Sequence, residues 1–153
     1  MSDKLVITKA TITAGFTAVA TFLGWRTILL LVWVCLMGLD YLSGSLAARS
    51  RGAWKSEAAR AGIFHKAGMI LVVVVSIIAD FVMVLACRYM AFETVSIAWP
   101  VVLFPLVTMW YILTEAGSII ENAIAMGAKV PQWLPRLLNA TLKAVESAAG
   151  QDE

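Results

Sequence analysis

Residues 67–87, AGMILVVVVSIIADFVMVLAC, lie between Lys66 and Arg88 and carry Asp80 as their one charge. At 1.5 Å rise these 21 residues make a helix of about 31 Å, which matches a hydrocarbon layer of ~30 Å. Apolar surface of that extent is suited to lipid rather than to a single water-facing core. Two other stretches repeat the pattern: 22 residues between Arg26 and Arg49 with Asp40 alone, and 21 between Glu93 and Glu115 with no charge. The expected fold class is therefore all-α, an integral membrane protein with transmembrane helices over 27–48, 67–87 and 94–114. Residues 1–25 form a separate N-terminal segment. Its 16 uncharged residues between Lys9 and Arg26 include Thr11, Thr13, Thr17 and Thr21, so this helix either spans or lies in the interface. With no small-residue cleavage site ahead of a soluble mature domain, the segment does not read as a signal peptide.

Composition agrees. Of 153 residues, 61% are hydrophobic and 14% charged, where soluble domains run near ~45–50% and ~25%. Mean hydropathy is +0.85. A net charge of +2 offers no footprint for nucleic acid, which is not expected as a partner. Cys35 and Cys87 stand alone in apolar runs, without metal-ligand spacing or a disulfide framework. His65 is the only histidine. With no Gly-rich phosphate loop and no nucleophile beside a base, neither enzyme chemistry nor a cofactor or metal is expected.

Orientation follows from the connection 49–66, where Arg49, Arg51, Lys55, Arg60 and Lys66 oppose Glu57 alone. The positive-inside rule puts this connection, and with it the chain after Glu115, in the cytoplasm. If the Thr-rich helix also spans, the N-terminus lies inside too. Trp25, Trp99, Trp110 and Tyr111 fall near span ends as depth markers, Trp33 in mid-span reads as a packing residue, and Pro100 and Pro105 interrupt the start of the last span. The basic connection, with Trp54 in its middle, either binds anionic headgroups or serves only to set topology. Residues 116–153 form an amphipathic tail. Ile119, Ile120, Ala123 and Ile124 keep a helical period to a cap at Gly127, Pro131 and Pro135 punctuate, and Leu138, Leu142, Val145 and Ala149 mark one face of a second helix.

Asp40 and Asp80 are the residues that need explaining, at ~2.5–3.5 kcal/mol each in mid-helix. Counted from Arg49 and Lys66 they lie ~13 Å and ~21 Å deep, too staggered to share a proton. Asp80 and Arg88 share a helix face but stand ~12 Å apart along it, which leaves a water file or the Arg88 of a neighbouring subunit as the link. The acids either line a wet pathway, bond to backbone or to hydroxyls such as Tyr41 and Ser43 across helices, or are protonated and silent. Gly44 with Ala48, Ser43 with Ala47 and Ala123 with Gly127 give small-xxx-small spacings that allow close helix approach. Three or four spans enclose little, so a wide conduit requires a homo-oligomer.

Two segments go beyond composition. Gly38-Leu-Asp-Tyr-Leu-Ser-Gly-Ser-Leu-Ala-Ala48, followed by a basic connection with Lys55, Gly62, Ile63 and Lys66 and a span bearing Asp80, resembles the toxin-secretion/phage-lysis holin family. So does Glu115-Ala-Gly-Ser-Ile-Ile-Glu-Asn122, continuing through Gly127 to Pro131 and Leu134. The resemblance covers residues 25–136, and Asp40, Tyr41, Gly44, Asp80, Glu115, Ser118, Glu121 and Asn122 match its pattern. It implies a phage protein of the host bacterial cytoplasmic membrane that assembles with itself into lesions at a programmed time. A cytoplasmic endolysin is then released to the cell wall, a functional partner without direct binding; relatives in bacteria export large toxins. The family assigns these positions no catalytic role. Two other classes fit the residues: a small oligomeric ion channel or transporter, and a scaffold recruiting a soluble partner through Leu138 to Ala149.

Overall fold

The computed structural model describes residues 2–90 and 102–148. Five helices follow one another there: α1 (Ser2–Leu23), α2 (Arg26–Ser50), α3 (Ser56–Met90), α4 (Leu103–Ala125) and α5 (Trp133–Ala148). The described residues contain no strand. Three helices, α2, α3 and α4, are long and apolar enough to cross a membrane. At 22 residues, α1 has the length, but its threonines and Lys4 and Lys9 dilute its hydropathy.

The connection 49–66 is mostly helix. Only residues 51–55 lie outside helices, because α3 begins at Ser56 with Glu57 in its first turn, where a carboxylate meets the positive end of the helix dipole. Ala58, Ala59, Arg60 and Ala61 then favour helix, and α3 reaches 35 residues, about 52 Å, well beyond the hydrocarbon thickness. The first part of the last expected span, 94–101, lies outside the described residues, and Trp99 and Pro100 with it. The described helix passes through Glu115 and ends at Ala125. It closes in a Schellman turn: Ala128 N–H donates to Ala123 O at 3.0 Å, Gly127 N–H donates to Ile124 O at 2.9 Å, and Gly127 takes φ +93°. The same turn ends α2 at Gly52, with φ +64°. Pro105 falls in the first turn of α4, where its missing N–H breaks no helical bond.

Helix α4 is the hub and packs on α2, α3 and α5, whereas α2 and α3 scarcely touch one another. Trp33 stacks on Tyr111 at 5.9 Å and Asp40 meets Asn122 further along, so α2 and α4 run parallel. Trp33, Met37, Met69, Val73 and Phe104 form the buried core. Outward, α2 exposes Ile28, Leu31, Val32, Val34 and Leu39, and α3 exposes Leu71, Val75, Ile78 and Val82, the surface that lipid requires. Helix α5 turns back along α4, its half-buried Leu138, Leu142 and Val145 facing the bundle. Trp110 Nε1–H donates to Glu146 Oε1 at 3.1 Å. Ala149, expected on the same face, lies outside the described residues.

Candidate functional site

Asp40 stands ten residues before the end of α2, Lys66 ten after the start of α3, and Glu115 ten before the end of α4. The end of α2, the start of α3 and the end of α4 share one end of the bundle, beside the 51–55 loop. All three side chains are therefore at one level, ~15 Å from that end. Lys66 Nζ lies 2.9 Å from Asp40 Oδ2 and 2.7 Å from both Glu115 oxygens. Side-chain exposure is 14% for Lys66, 18% for Asp40 and 4% for Glu115, so water screens the cluster little. Asn122 Nδ2–H donates to Asp40 Oδ1 and to Ser43 Oγ, both at 3.1 Å, and the Ser43 hydroxyl donates to the Asp40 carbonyl at 3.1 Å. With both acids ionised, two carboxylates on one ammonium leave one negative charge over.

The spacing of the α4 element explains itself here. Glu115, Ser118 and Asn122, at i, i+3 and i+7, share the helix face turned to α2 and α3, while Glu121 points away and is exposed. Gly44 makes room opposite: a Cβ there would lie 3.4 Å from Asn122 Nδ2. Between α2, the loop and α3 opens a cavity of about 270 Å³ backed by Ser118 and Asn122 of α4, lined by Asp40 and Lys66 of the cluster, with Tyr41, Trp54 and Lys55 on its walls.

Asp80 belongs to a second polar site. It is 3% exposed, and its two oxygens accept the first backbone donors of α4: Leu103 N–H to Oδ1 at 3.1 Å and Phe104 N–H to Oδ2 at 2.8 Å. Helix starts leave such N–H groups unpaired and carry partial positive charge, so a carboxylate serves both needs. Asp80 is fourteen residues beyond Lys66, ~21 Å along α3, so α4 begins inside the depth of the apolar layer. A start at that depth finds no water, and Asp80 supplies the acceptors instead.

The remaining basic residues stay at the periphery. Arg49 lies over the Trp54 ring at 5.4 Å, Arg51 Nε–H donates to Ala47 O at 3.1 Å, Arg60 is exposed, and Arg88 is exposed at the far end of α3. Lys66, grouped by sequence with this basic connection, instead turns into the bundle. Sequence reasoning also did not pair Asn122 or Glu115 with Asp40, because it ended the last span at 114 and left Glu115 at the boundary, whereas α4 runs on to Ala125.

Residues 17–143, covering α2 to α4 and most of α5, match the bacteriophage holin family. The chain is 29% identical over 140 residues to an uncharacterised protein of Listeria monocytogenes, covering 91% of this chain and 87% of that one. An uncharacterised protein of Halalkalibacterium halodurans is 32% identical over 130 residues, 85% and 89% of the two chains. One of Listeria innocua is 31% identical over 125 residues, 81% and 79%. No solved structure matches.

Proposed function

The chain belongs to the bacteriophage holin family, and on that premise we propose that it accumulates in a bacterial cytoplasmic membrane, associates with copies of itself and opens lesions. Through these a cytoplasmic endolysin reaches the cell wall and lysis follows at a set time. The observation that carries the reading is the contrast between inside and outside. Lys66, Asp40 and Glu115 are paired within the subunit, and Asp80 is spent on α4, while the outer faces of α2 and α3 are apolar. A subunit built this way is quiet in lipid as a monomer, and it holds in reserve the polar groups that a water-filled assembly needs.

Loss of potential at the first lesion adds timing. Charge that moves across the membrane is worth ~2.3 kcal/mol per 100 mV, so depolarisation biases the remaining subunits together. The basic residues around the 51–55 loop put that end of the bundle, and the 126–132 turn with it, on the cytoplasmic side.

The experiment is induced expression with a co-expressed endolysin, following a potential-sensitive dye and cell-wall degradation together. Depolarisation followed within minutes by wall degradation supports the proposal. Depolarisation with the endolysin retained identifies a channel for ions only, and retention of both potential and endolysin refutes membrane lesions.

A further inference from the structure

Helix α1 is a helix without a seat. Its described side chains from Lys4 to Thr21 are all exposed, and among the described elements it touches only α2. Yet its chemistry suits burial. Thr8 Oγ1–H and Thr11 Oγ1–H donate to the Lys4 and Ile7 carbonyls at 2.8 Å and 2.9 Å, so these hydroxyls enter apolar surroundings already satisfied. Ala10, Ala14 and Gly15 leave its surface thin. The bundle, for its part, has a seat without a helix. The cavity of about 270 Å³ lies where α2 and α3 splay, and its walls carry small residues one turn apart, Gly44 and Ala48 on α2, Ala58 and Gly62 on α3. Such pairs admit a further helix at close backbone distance.

We propose that this groove receives α1 of a second copy of the chain, with Lys9 facing Asp40. The proposal rests on the self-association proposed above and names its contact. Charge supports it at that level: Asp40 lines the groove, and with both acids ionised the cluster has one carboxylate more than Lys66 balances, so Lys9 supplies the missing cation, while Lys55, the other lining cation, belongs to the 51–55 loop. Register supports it independently. Lys9 lies fifteen residues before Gly24, and Asp40 fifteen after Trp25. If α1 crosses the layer, both are ~22 Å from the Gly24–Trp25 turn, at one depth in any two copies sharing a bilayer. The same subunit's groove is not taken by its own α1, which meets α2 without reaching α3 or α4. Docking makes α1 a fourth span and links each subunit to the next, head to tail, a geometry that builds rings or arrays.

The test uses full-length chains with Cys35→Ala and Cys87→Ala, in two tagged populations expressed together. One carries Val6→Cys, on the Lys9 face of α1, and the other Ser45→Cys, on the groove wall. Oxidation is expected to yield a disulfide-linked species bearing both tags. Adding Lys9→Glu to the first chain is expected to lower that yield at least about tenfold, the ratio carried by 1.4 kcal/mol, and Lys9→Arg to keep it. Two results overturn the proposal. One is no two-tag product while both cysteines react with a small maleimide; the other is a link that forms only within a single chain carrying both cysteines. The same cultures report depolarisation and endolysin release. Release without the two-tag link removes this interface and leaves the holin reading standing, whereas the link without release does the reverse.

Discussion

Replacing Lys66 by Met keeps the length and apolar stem of the side chain and removes only the ammonium that two acids share. In the wild type that ammonium lies 2.9 Å from Asp40 and 2.7 Å from Glu115, with all three side chains less than one-fifth exposed. Removing one partner of a buried ion pair costs about 3–5 kcal/mol, because the charge left behind is uncompensated. Here two carboxylates are left, Glu115 at 4% exposure the worse placed, since Asp40 retains Asn122 as a donor. The expected loss for Lys66→Met is therefore about 3–5 kcal/mol, with protonation of one acid holding it within that range. The triple variant Lys66→Met, Asp40→Asn, Glu115→Gln removes every charge and is expected to recover most of it, because a neutral replacement of a buried ion cluster is often close to neutral in stability. Denaturant titration in detergent micelles, followed by circular dichroism, measures both. A Lys66→Met variant within ~0.5 kcal/mol of wild type, or a triple variant worse than the single, would refute the cluster as a buried, mutually dependent unit.

Asp80→Asn keeps one acceptor for the α4 start and turns an amide N–H₂ toward the other backbone donor, so a loss of about 1.5–3 kcal/mol is expected, with a shift in lysis onset on induction. Unchanged onset at equal protein level would take Asp80 out of the mechanism. Gly44→Leu intrudes on the Asn122 amide and fills part of the groove; the expected outcome is a subunit that still inserts but is slower to lyse, read from culture turbidity. Glu146→Gln weakens the tie to Trp110 by about 0.5–1.5 kcal/mol and should raise protease cleavage in the 126–132 turn. Trp33→Phe should cost less than its 2% exposure suggests, because Trp33 Nε1 has no hydrogen-bond partner to lose. About 1 kcal/mol or less is expected in the same titration, against about 3–5 kcal/mol for Trp33→Ala.

What could be read from the residues was whatever depends on one helix at a time. The spans declared themselves through uncharged length, the cap at Gly127 through its place after a periodic run, and Trp33 through a mid-span position that no interface explains. What escaped was whatever depends on which helices meet. Asp80 finds its acceptor role at two backbone amides 23 and 24 residues further on, and an amide leaves no mark in a sequence. Lys66 looked like one more topology-setting cation because it borders an apolar run; only the placing of α4 between α2 and α3 turns it inward, onto Asp40 and Glu115. The start of α3 at Ser56 was also hidden, since basic charge marks the side of a membrane and says nothing about secondary structure. Glu115, Ser118 and Asn122 were quoted as one element, and their common face was latent in the spacing, but their partner was not.

The arrangement also constrains how lesions of the proposed kind can form. At the depth of the apolar layer the described outer surface of α2 and α3 is Ile, Leu, Val and Phe, and the polar groups Ser76, Asp80, Thr108 and Glu115 are buried inside. Copies packed as rigid bodies through those outer faces would enclose a dry wall, which holds no water column. A wet lumen therefore needs either a polar helix added at the seam or a bundle that opens. Opening by separation of α3 from α4 breaks Lys66 from Glu115 and Asp80 from the α4 start together, since both bonds cross that one interface. The Lys66 cluster and the Asp80 cap then act as two latches on one door. Variants of either should shift onset in the same direction, and the double variant should shift it by less than the sum.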